Sequence, residues 1–532
     1  MTQYPAKRPV RFFNTTGPCN PEDHYMLPPA ERLVGAQLHR YIRDKLYWVL
    51  HAPRQTGKTT FLHSWAREIN TLGEAVACYV TIESCQGITD RSEAMVTINK
   101  AICAFSKNAG LPIPELPFDQ TEFLLHKTLQ KWSELVAPKP LVVLFDETDV
   151  LEGEPLIAFL RQLRGGFAER GVGKFPISIA MVGMMDLKDY ITMAKGGMPV
   201  NPGSPFNIKA DSVTIGYFNL DNIKNLFAQR TGETGQKITE EALNYVWDQS
   251  QGQPWIVNNL FQRATMRILD EDNFETVTLE HIMEAREQMI MARETHLDTL
   301  GNRLGNPKIK HVIESILTGN NDPMMGRTNP DVELITDLGL IKWDNTTGFT
   351  ISNPIYEEIL TRYLNSGYHD NLPSPSSWKW QKADGTLDMD NLLKEFQIFW
   401  QRNSEIWEQK SDYTEAFPHL LLMAFLQRVL NGGGKMEREA AAGRGRMDLL
   451  IEYQNKKYII EIKLIHSWDN PEQIREEGIR QVIMYRDKID FNAPAYLVIF
   501  DRRESVKDLS WDKKIYWQEE KTDSGMIILM GC

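Results

Sequence analysis

Ala52-Pro-Arg-Gln-Thr-Gly57-Lys58-Thr59 places a lysine and a hydroxyl directly after a glycine, at the spacing of a phosphate loop. In the pattern G-x-x-x-x-G-K-[ST], backbone N–H groups wrap phosphate oxygens. Lys58 would set a cation on the β and γ oxygens and Thr59 a hydroxyl on Mg²⁺, at a helix N-terminus whose dipole favours anions. The first glycine is replaced by Ala52, whose Cβ strains the loop only if position 52 needs a positive φ. The expected ATP-binding set is Ala52, Pro53, Arg54, Gln55, Thr56, Gly57, Lys58, Thr59 and Thr60. Leu141-Val-Val-Leu-Phe145-Asp146-Glu147 is an apolar strand ending in two acids. There Asp146 would orient Mg²⁺ together with Thr59, and Glu147 would polarise the attacking water as general base. Asp149 reads as a cap of the following helix. Arg161, Arg164 and Arg170 are candidates for an arginine acting in trans, weighed against the commoner role of exposed helix arginines in solubility.

A second group of charged residues lies near the C-terminus, in GRGRMDLLIEYQNKKYIIEIKL, residues 443–464. Two apolar strands, 447–453 and 457–464, flank a polar turn at 454–456. If Tyr453 and Lys457 close the hairpin, paired positions sum to about 910. Asp448 then falls opposite residue 462, give or take one, with Glu461 and Lys463 as its neighbours on one face. Two half-buried carboxylates repel unless a divalent cation sits between them, and Mg²⁺ accepts such oxygen ligands. Asp448 and Glu461 are the expected metal ligands, and Lys463 would align a nucleophile or offset developing charge. The chemistry is phosphodiester hydrolysis. An isolated E-x-K is more often a surface cross-strand pair. The register of Asp448, the Gly443-Arg-Gly-Arg446 run, and Gln481 with Tyr485 on the next helix favour the site. Glu415, Glu437 and Glu439 remain alternative further acids.

These residues need elements to hold them. An apolar run at 44–51, a loop and a helical spacing over 59–70 read strand, loop, helix, and β-rich runs follow at 75–82, 141–145 and 177–182 with helices at 91–107, 119–135 and 155–169 between them. The alternation implies a parallel sheet covered on both faces. From about 216 the pattern is helical, and two helices at 307–318 and 330–338 precede a hairpin, 340–343 with 349–352, suggesting a winged helix. Residues 366–380 have linker composition. Beyond them come helices near 389–408 and 414–430, a β-rich stretch 435–464, a helix 471–488 and strands near 494–501 and 514–519. The expected division is 1–30 as an N-terminal extension to the nucleotide pocket, 31–215 as ATPase core, 216–300 as helical lid, 301–365 as winged-helix module, 366–388 as linker and 389–532 as a nuclease-like domain. The fold class is α/β: a P-loop sheet with lid and winged helix, then a smaller αβ restriction-endonuclease-like domain.

A chain of 532 residues with 42% hydrophobic and 24% charged residues has room for several cores. A net charge of −12 argues against coating nucleic acid by bulk electrostatics, so contact with it must be local. Five scattered cysteines indicate neither a disulfide framework nor a zinc site. With no long apolar run and no apolar leader, a cytoplasmic protein without membrane contact is expected.

The segments 12–19, 24–29, 52–59, 144–147, 204–209 and 252–258 together resemble the prokaryotic AAA-type ATPases of the group that includes the signal-transducing NTPases. The resemblance implies that the Gly-x-Pro turn faces nucleotide, assigning a sensing role to Gln253 and Pro254. It also implies a polar sensor after the next strand, where this chain reads Val182-Gly-Met-Met185-Asp186. The last 140 residues resemble the PD-(D/E)XK nuclease superfamily, with Asp448 matching its Asp, Glu461-Ile-Lys463 its E-x-K, and Gln481-x-x-x-Tyr485 an element seen on the following helix.

The expectation is an ATP-binding ATPase that regulates a C-terminal Mg²⁺-dependent nuclease acting on nucleic acid, DNA foremost, with homo-oligomerisation open. The alternative is a nucleotide-gated switch or scaffold whose C-terminal domain binds nucleic acid or a partner without cleaving. A helicase or translocase would need strand-tracking loops that the sequence does not display.

Overall fold

The computed structural model describes residues 10–33, 37–116, 123–184, 209–270, 273–292, 304–318, 329–345, 348–364, 380–382, 384–408, 418, 421–423, 425–426, 434–442, 445–454, 456–465, 469–507, 509–522 and 524–532. The chain divides into two units, Met1–Met289 with Glu333–Lys342, and Ile290–Val332 with Trp343–Cys532.

In the first unit a five-stranded sheet is built from β1 (Tyr47–His51), β2 (Val76–Thr81), β3 (Leu141–Asp146), β4 (Ser178–Gly183) and β5 (Lys209–Thr214), in the order β2-β3-β4-β1-β5. Every pairing is parallel. All six residues of β3 and all six of β4 are buried, as strands covered on both faces must be. Side chains alternate between two cores. Val143, Phe145, Ile179 and Met181 meet α3 (Arg91–Asn108), α4 (Leu124–Val136) and α5 (Gly153–Phe167) on one face, whereas Trp48, Leu50, Val142 and Leu144 meet α2 (Lys58–Leu72) on the other. A short α1 (Leu38–Arg43) precedes β1. Thr81 pairs with Asp146 and His51 with Gly183, so the carboxyl ends of the strands align and the loops after β1, β3 and β4 leave from one edge. Sequence reading did not identify β5.

The helical stretch that follows is α6 (Leu220–Thr234), α7 (Glu240–Ser250), α8 (Pro254–Arg263) running into a π-helical turn (Ala264–Ile268), and α9 (Leu279–Met291). Farther along come α10 (Pro307–Thr318), α11 (Pro330–Asp337), the two-stranded β6 (Ile341–Asp344) with β7 (Gly348–Ile351), and α12 (Pro354–Leu364).

The C-terminal sheet is mixed, in the order β12-β13-β11-β10-β9-β8. Its strands are β8 (Gly434–Ala442), β9 (Gly445–Tyr453), β10 (Lys456–Ile465), β11 (Ala495–Asp501), β12 (Tyr516–Thr522) and β13 (Gly525–Gly531). One face takes α13 (Met389–Glu408), whose Phe396 and Trp400 meet Phe500. The other takes α14 (Pro471–Ile489), whose Val482 and Tyr485 pack with Leu450, Ile459, Leu497 and Ile499. β13, absent from the sequence reading, lies inside the sheet and pairs parallel with β11. The hairpin turn is shorter than the sequence suggested. Tyr453 pairs with Lys456, not Lys457, and the ladder runs to Leu449 opposite Ile460. Gln454 carries the turn with φ of 46°.

Candidate functional sites

The phosphate loop leaves β1 and enters α2 through Gly57, which sits at φ 95° as the N-cap. Gln55 is also left-handed, with φ of 59°, so successive backbone groups curl into an anion-binding concavity. Ala52 is buried and does not have a positive φ, so its methyl group fits without strain where the pattern has glycine. Lys58 Nζ donates to the carbonyls of Ala52 and Pro53 at 2.7 and 2.9 Å. Burial pulls its pKa down, opposed by the charges of Asp149, Asp146 and Glu147.

Thr59 Oγ1 donates to Asp146 Oδ2 at 2.7 Å, and Tyr79 OH donates to the same oxygen at 3.2 Å. Glu147 N donates to Asp146 Oδ1 at 3.0 Å. Among the described residues the hydrogen bonds to this carboxylate all come from donors, so its oxygens act as acceptors. Glu147 itself is left-handed, with φ of 57°. Burial, then the charges of Asp149 and Asp146, push its pKa up to about 7, in the range that suits a general base.

Lys58, Thr59 and Glu147 line a cavity of about 750 Å³ with Arg54, Gln55, Gly57, Thr60, Asp149, Met184, Phe218 and Pro254. The N-terminal segment closes one wall. Phe13 packs on Tyr25, Phe227 and Phe261, Trp255 Nε1 donates to Thr15 O at 3.0 Å, and Cys19 N donates to Thr60 Oγ1 at 3.0 Å. Gly252 approaches Phe218 so closely that a Cβ would lie 1.8 Å from its carbonyl oxygen.

Several expected residues sit elsewhere. Ala52, Pro53, Thr56, Asp146 and Gln253 are not among the residues lining the cavity; Asp146 is buried behind Thr59. The Gln253 side chain caps α8 by accepting from Ile256 N at 2.7 Å, so of the Gly-x-Pro pair only Pro254 reaches the cavity. Asp149 does not cap α5, whose N-cap is Glu152. It lines the cavity instead, with Oδ1 buried and without a hydrogen-bond partner. Arg170 is engaged by its own fold, donating to Lys45 O and Phe167 O. At the end of β4, Gly183 packs against Asp149, and Met184 after it supplies no polar sensor; Met185 and Asp186 lie outside the described residues. Arg32, which carried no spacing signal, lines the cavity from the N-terminal segment.

In the second unit, Glu461 and Lys463 stand two residues apart on β10. Glu461 is 2% exposed, and Lys463 Nζ lies 3.1 Å from its Oε1. Ile459 and Ile465, of the same parity, belong to the core under α14, so the pair faces that helix. Glu477 of α14 reaches Lys463 at 3.9 Å, a neighbour that sequence reading did not name. Gln481 Oε1 is buried without a partner, whereas Tyr485 belongs to the core. Continuing the β9–β10 ladder one step beyond Leu449 and Ile460 sets Asp448 opposite Glu461. On the other side of β9 the pairs Arg438 with Leu449 and Ala440 with Met447 bracket Glu439 and Asp448, whereas Glu437 pairs with Leu450. The register therefore puts the positions of Glu439, Asp448 and Glu461 in one row. The side chains of Asp448, Glu437 and Glu439, and the whole of Glu415, lie outside the described set.

Residues 413–501 match the PD-(D/E)XK nuclease superfamily. Among solved structures, the chain is similar to the Walker-type ATPase PABY2304 of Pyrococcus abyssi, at 14% identity and TM-score 0.47 over 65% of this chain and 99% of that one. It is also similar to the RuvB Holliday junction branch migration motor of Thermotoga maritima, at 11% identity and TM-score 0.32 over 60% and 90%. A third likeness is to the ORC2 protein of Aeropyrum pernix, at 14% identity and TM-score 0.34 over 61% and 91%. No curated protein matches. The first unit carries a phosphate-loop motif on a five-stranded parallel sheet, and residues 413–501 of the second match the PD-(D/E)XK nuclease superfamily. Among the described residues no helix is long and apolar enough to cross a membrane.

Proposed function

We propose that this chain is an ATP-regulated, Mg²⁺-dependent nuclease that cleaves nucleic acid, with DNA as the favoured substrate. In this reading 31–215 is the ATPase core, 216–300 its lid, 301–365 a winged helix and 389–532 the nuclease. The observation that carries it is the contact of Lys463 with the buried Glu461, on an interior strand of a domain that matches a nuclease superfamily.

The donor sets suit hard cations. Thr59 and Asp146 would hold one Mg²⁺ beside the triphosphate, and Asp448 and Glu461 another at the nuclease site. Bound there, Mg²⁺ neutralises phosphate charge and lowers the pKa of water. The chain's own groups do the rest. Lys58 and the loop amides bind phosphate oxygens, Glu147 takes a proton from water, and Lys463 stands where it can orient a nucleophile against the scissile phosphate.

A plasmid-nicking assay tests the proposal, with and without Mg²⁺ and ATP, on wild type, Lys58→Ala and Asp448→Ala. The expected result is Mg²⁺-dependent nicking that Asp448→Ala abolishes and whose ATP dependence Lys58→Ala removes. DNA binding without nicks in wild type would favour the non-cleaving switch instead.

A further inference from the structure

Arg32 ends the short 3-10 turn Pro29–Arg32 of the N-terminal segment. Its Nη1 donates to Thr56 O in the phosphate loop at 2.8 Å and to Gly216 O, ahead of α6, at 3.1 Å. The ring of Phe218 lies 4.9 Å from its guanidinium carbon. A Cβ on Gly57 would come within 2.7 Å of Nη2, so the guanidinium rests directly on the glycine preceding Lys58. Nε is buried and has no acceptor among the described residues. Burial lowers its pKa to about 10, and among the described residues its hydrogen bonds go to carbonyl oxygens and none to a carboxylate.

A guanidinium taken out of water without an acid beside it is unfavourable unless an anion arrives. Carbonyl oxygens satisfy one arm of the fork, and the rest lies against a cavity whose floor is a loop of backbone amides. We propose that Arg32 is a second phosphate-binding cation of this cavity, supplied by the N-terminal segment rather than by the phosphate loop. The proposal rests on the nucleotide reading given above. Arginine suits the position because one planar fork can hold the loop carbonyl and a phosphate oxygen together.

Calorimetric titration of the full chain with ADP and with inorganic tripolyphosphate tests it. Arg32→Gln should weaken both ligands by roughly 10- to 100-fold, the size of one charge-assisted hydrogen bond. Arg32→Lys keeps the charge but not the fork and should recover part of that loss, with a melting temperature near that of wild type. Wild-type affinity in Arg32→Gln would overturn the proposal. So would equal losses in Arg32→Lys and Arg32→Gln, which would mean that the guanidinium only clamps the loop. If wild type and Lys58→Ala both fail to bind either ligand, the nucleotide reading itself falls and takes this one with it.

Discussion

Thr59 Oγ1 points its proton at Asp146 Oδ2, 2.7 Å away, and thereby joins the start of α2 to the end of β3. Because the hydroxyl donates in this bond, its oxygen lone pairs remain free of it. Tyr79 adds a second donor to that oxygen, which restrains its rotation. The pair proposed to hold Mg²⁺ is therefore held together by the fold itself.

Replacing Thr59 by Val keeps the branched shape and deletes the hydroxyl. Nucleotide affinity measured with EDTA should then change less than about threefold, because loop amides and Lys58 are untouched. The Mg²⁺-dependent gain in affinity should fall by about tenfold or more, as expected for one ligand lost from a hard cation. Titrations with and without Mg²⁺ check this; equal Mg²⁺ gain in the variant would count against the assignment.

Glu147 makes pH a probe of the nucleotide-free chain. Its pKa rises from 4.5 in the reference state to about 7 in the fold, chiefly through burial and then through the charges of Asp149 and Asp146. Between those values the folded chain holds a proton that the unfolded chain has released, so stability should decline as pH rises through this window. Glu147→Gln removes that slope. Melting curves from pH 5 to 8 without metal should show the variant gaining on wild type as pH increases, while its ATP turnover is lost. A variant that loses ground toward pH 8 would contradict the assignment.

The phosphate loop and the two acids after β3 were legible because phosphate chemistry fixes residue types at fixed spacing. What failed to show was geometry set by other parts of the chain. The hairpin register was off by one because the turn closes at Tyr453 and Lys456, with Gln454 left-handed, and a polar run of Gln, Asn and Lys does not announce that. β13 was missed even though Met526-Ile-Ile-Leu-Met530 is apolar; its partner β11 is distant in sequence, and such pairing leaves no local mark. Asp149 reads as a helix cap because caps are common there, but Glu152 takes that position and Asp149 lies beside Gly183 at the cavity. A lone arginine such as Arg32 has no periodicity to betray it.

At the second site the Lys463–Glu461 contact should be energetically coupled. Lys463→Met removes the 3.1 Å ammonium from a carboxylate that is almost fully buried, and this should destabilise the chain by about 1–3 kcal/mol. Adding Glu461→Gln should restore part of the loss, giving a coupling of about 0.5–3 kcal/mol in a double-mutant cycle. Denaturant unfolding of the four proteins measures it. Strict additivity would show that the ammonium does not stabilise the buried carboxylate, and loss of nicking in a stable double variant would separate chemistry from folding.

Gly252 offers a test of the cavity wall that touches no phosphate-binding group. It sits at φ 77°, and a Cβ there would meet Phe218 O at 1.8 Å, a backbone atom that cannot swing aside as a side chain could. Phe218 N also donates to Gly252 O at 2.8 Å, so the two segments are locked at the same point. Gly252→Ala incurs about 1–3 kcal/mol from the left-handed backbone alone, and relief of the overlap must displace Phe218, the ring beneath Arg32. The expected result is faster amide exchange around 216–219 and 250–256, with exchange in β3 and β4 unchanged, and weaker ADP binding although Lys58, Thr59 and Asp146 are intact. If ADP affinity holds at the wild-type value while exchange at 250–256 rises, the Gly252 turn is a structural join and not part of the nucleotide wall.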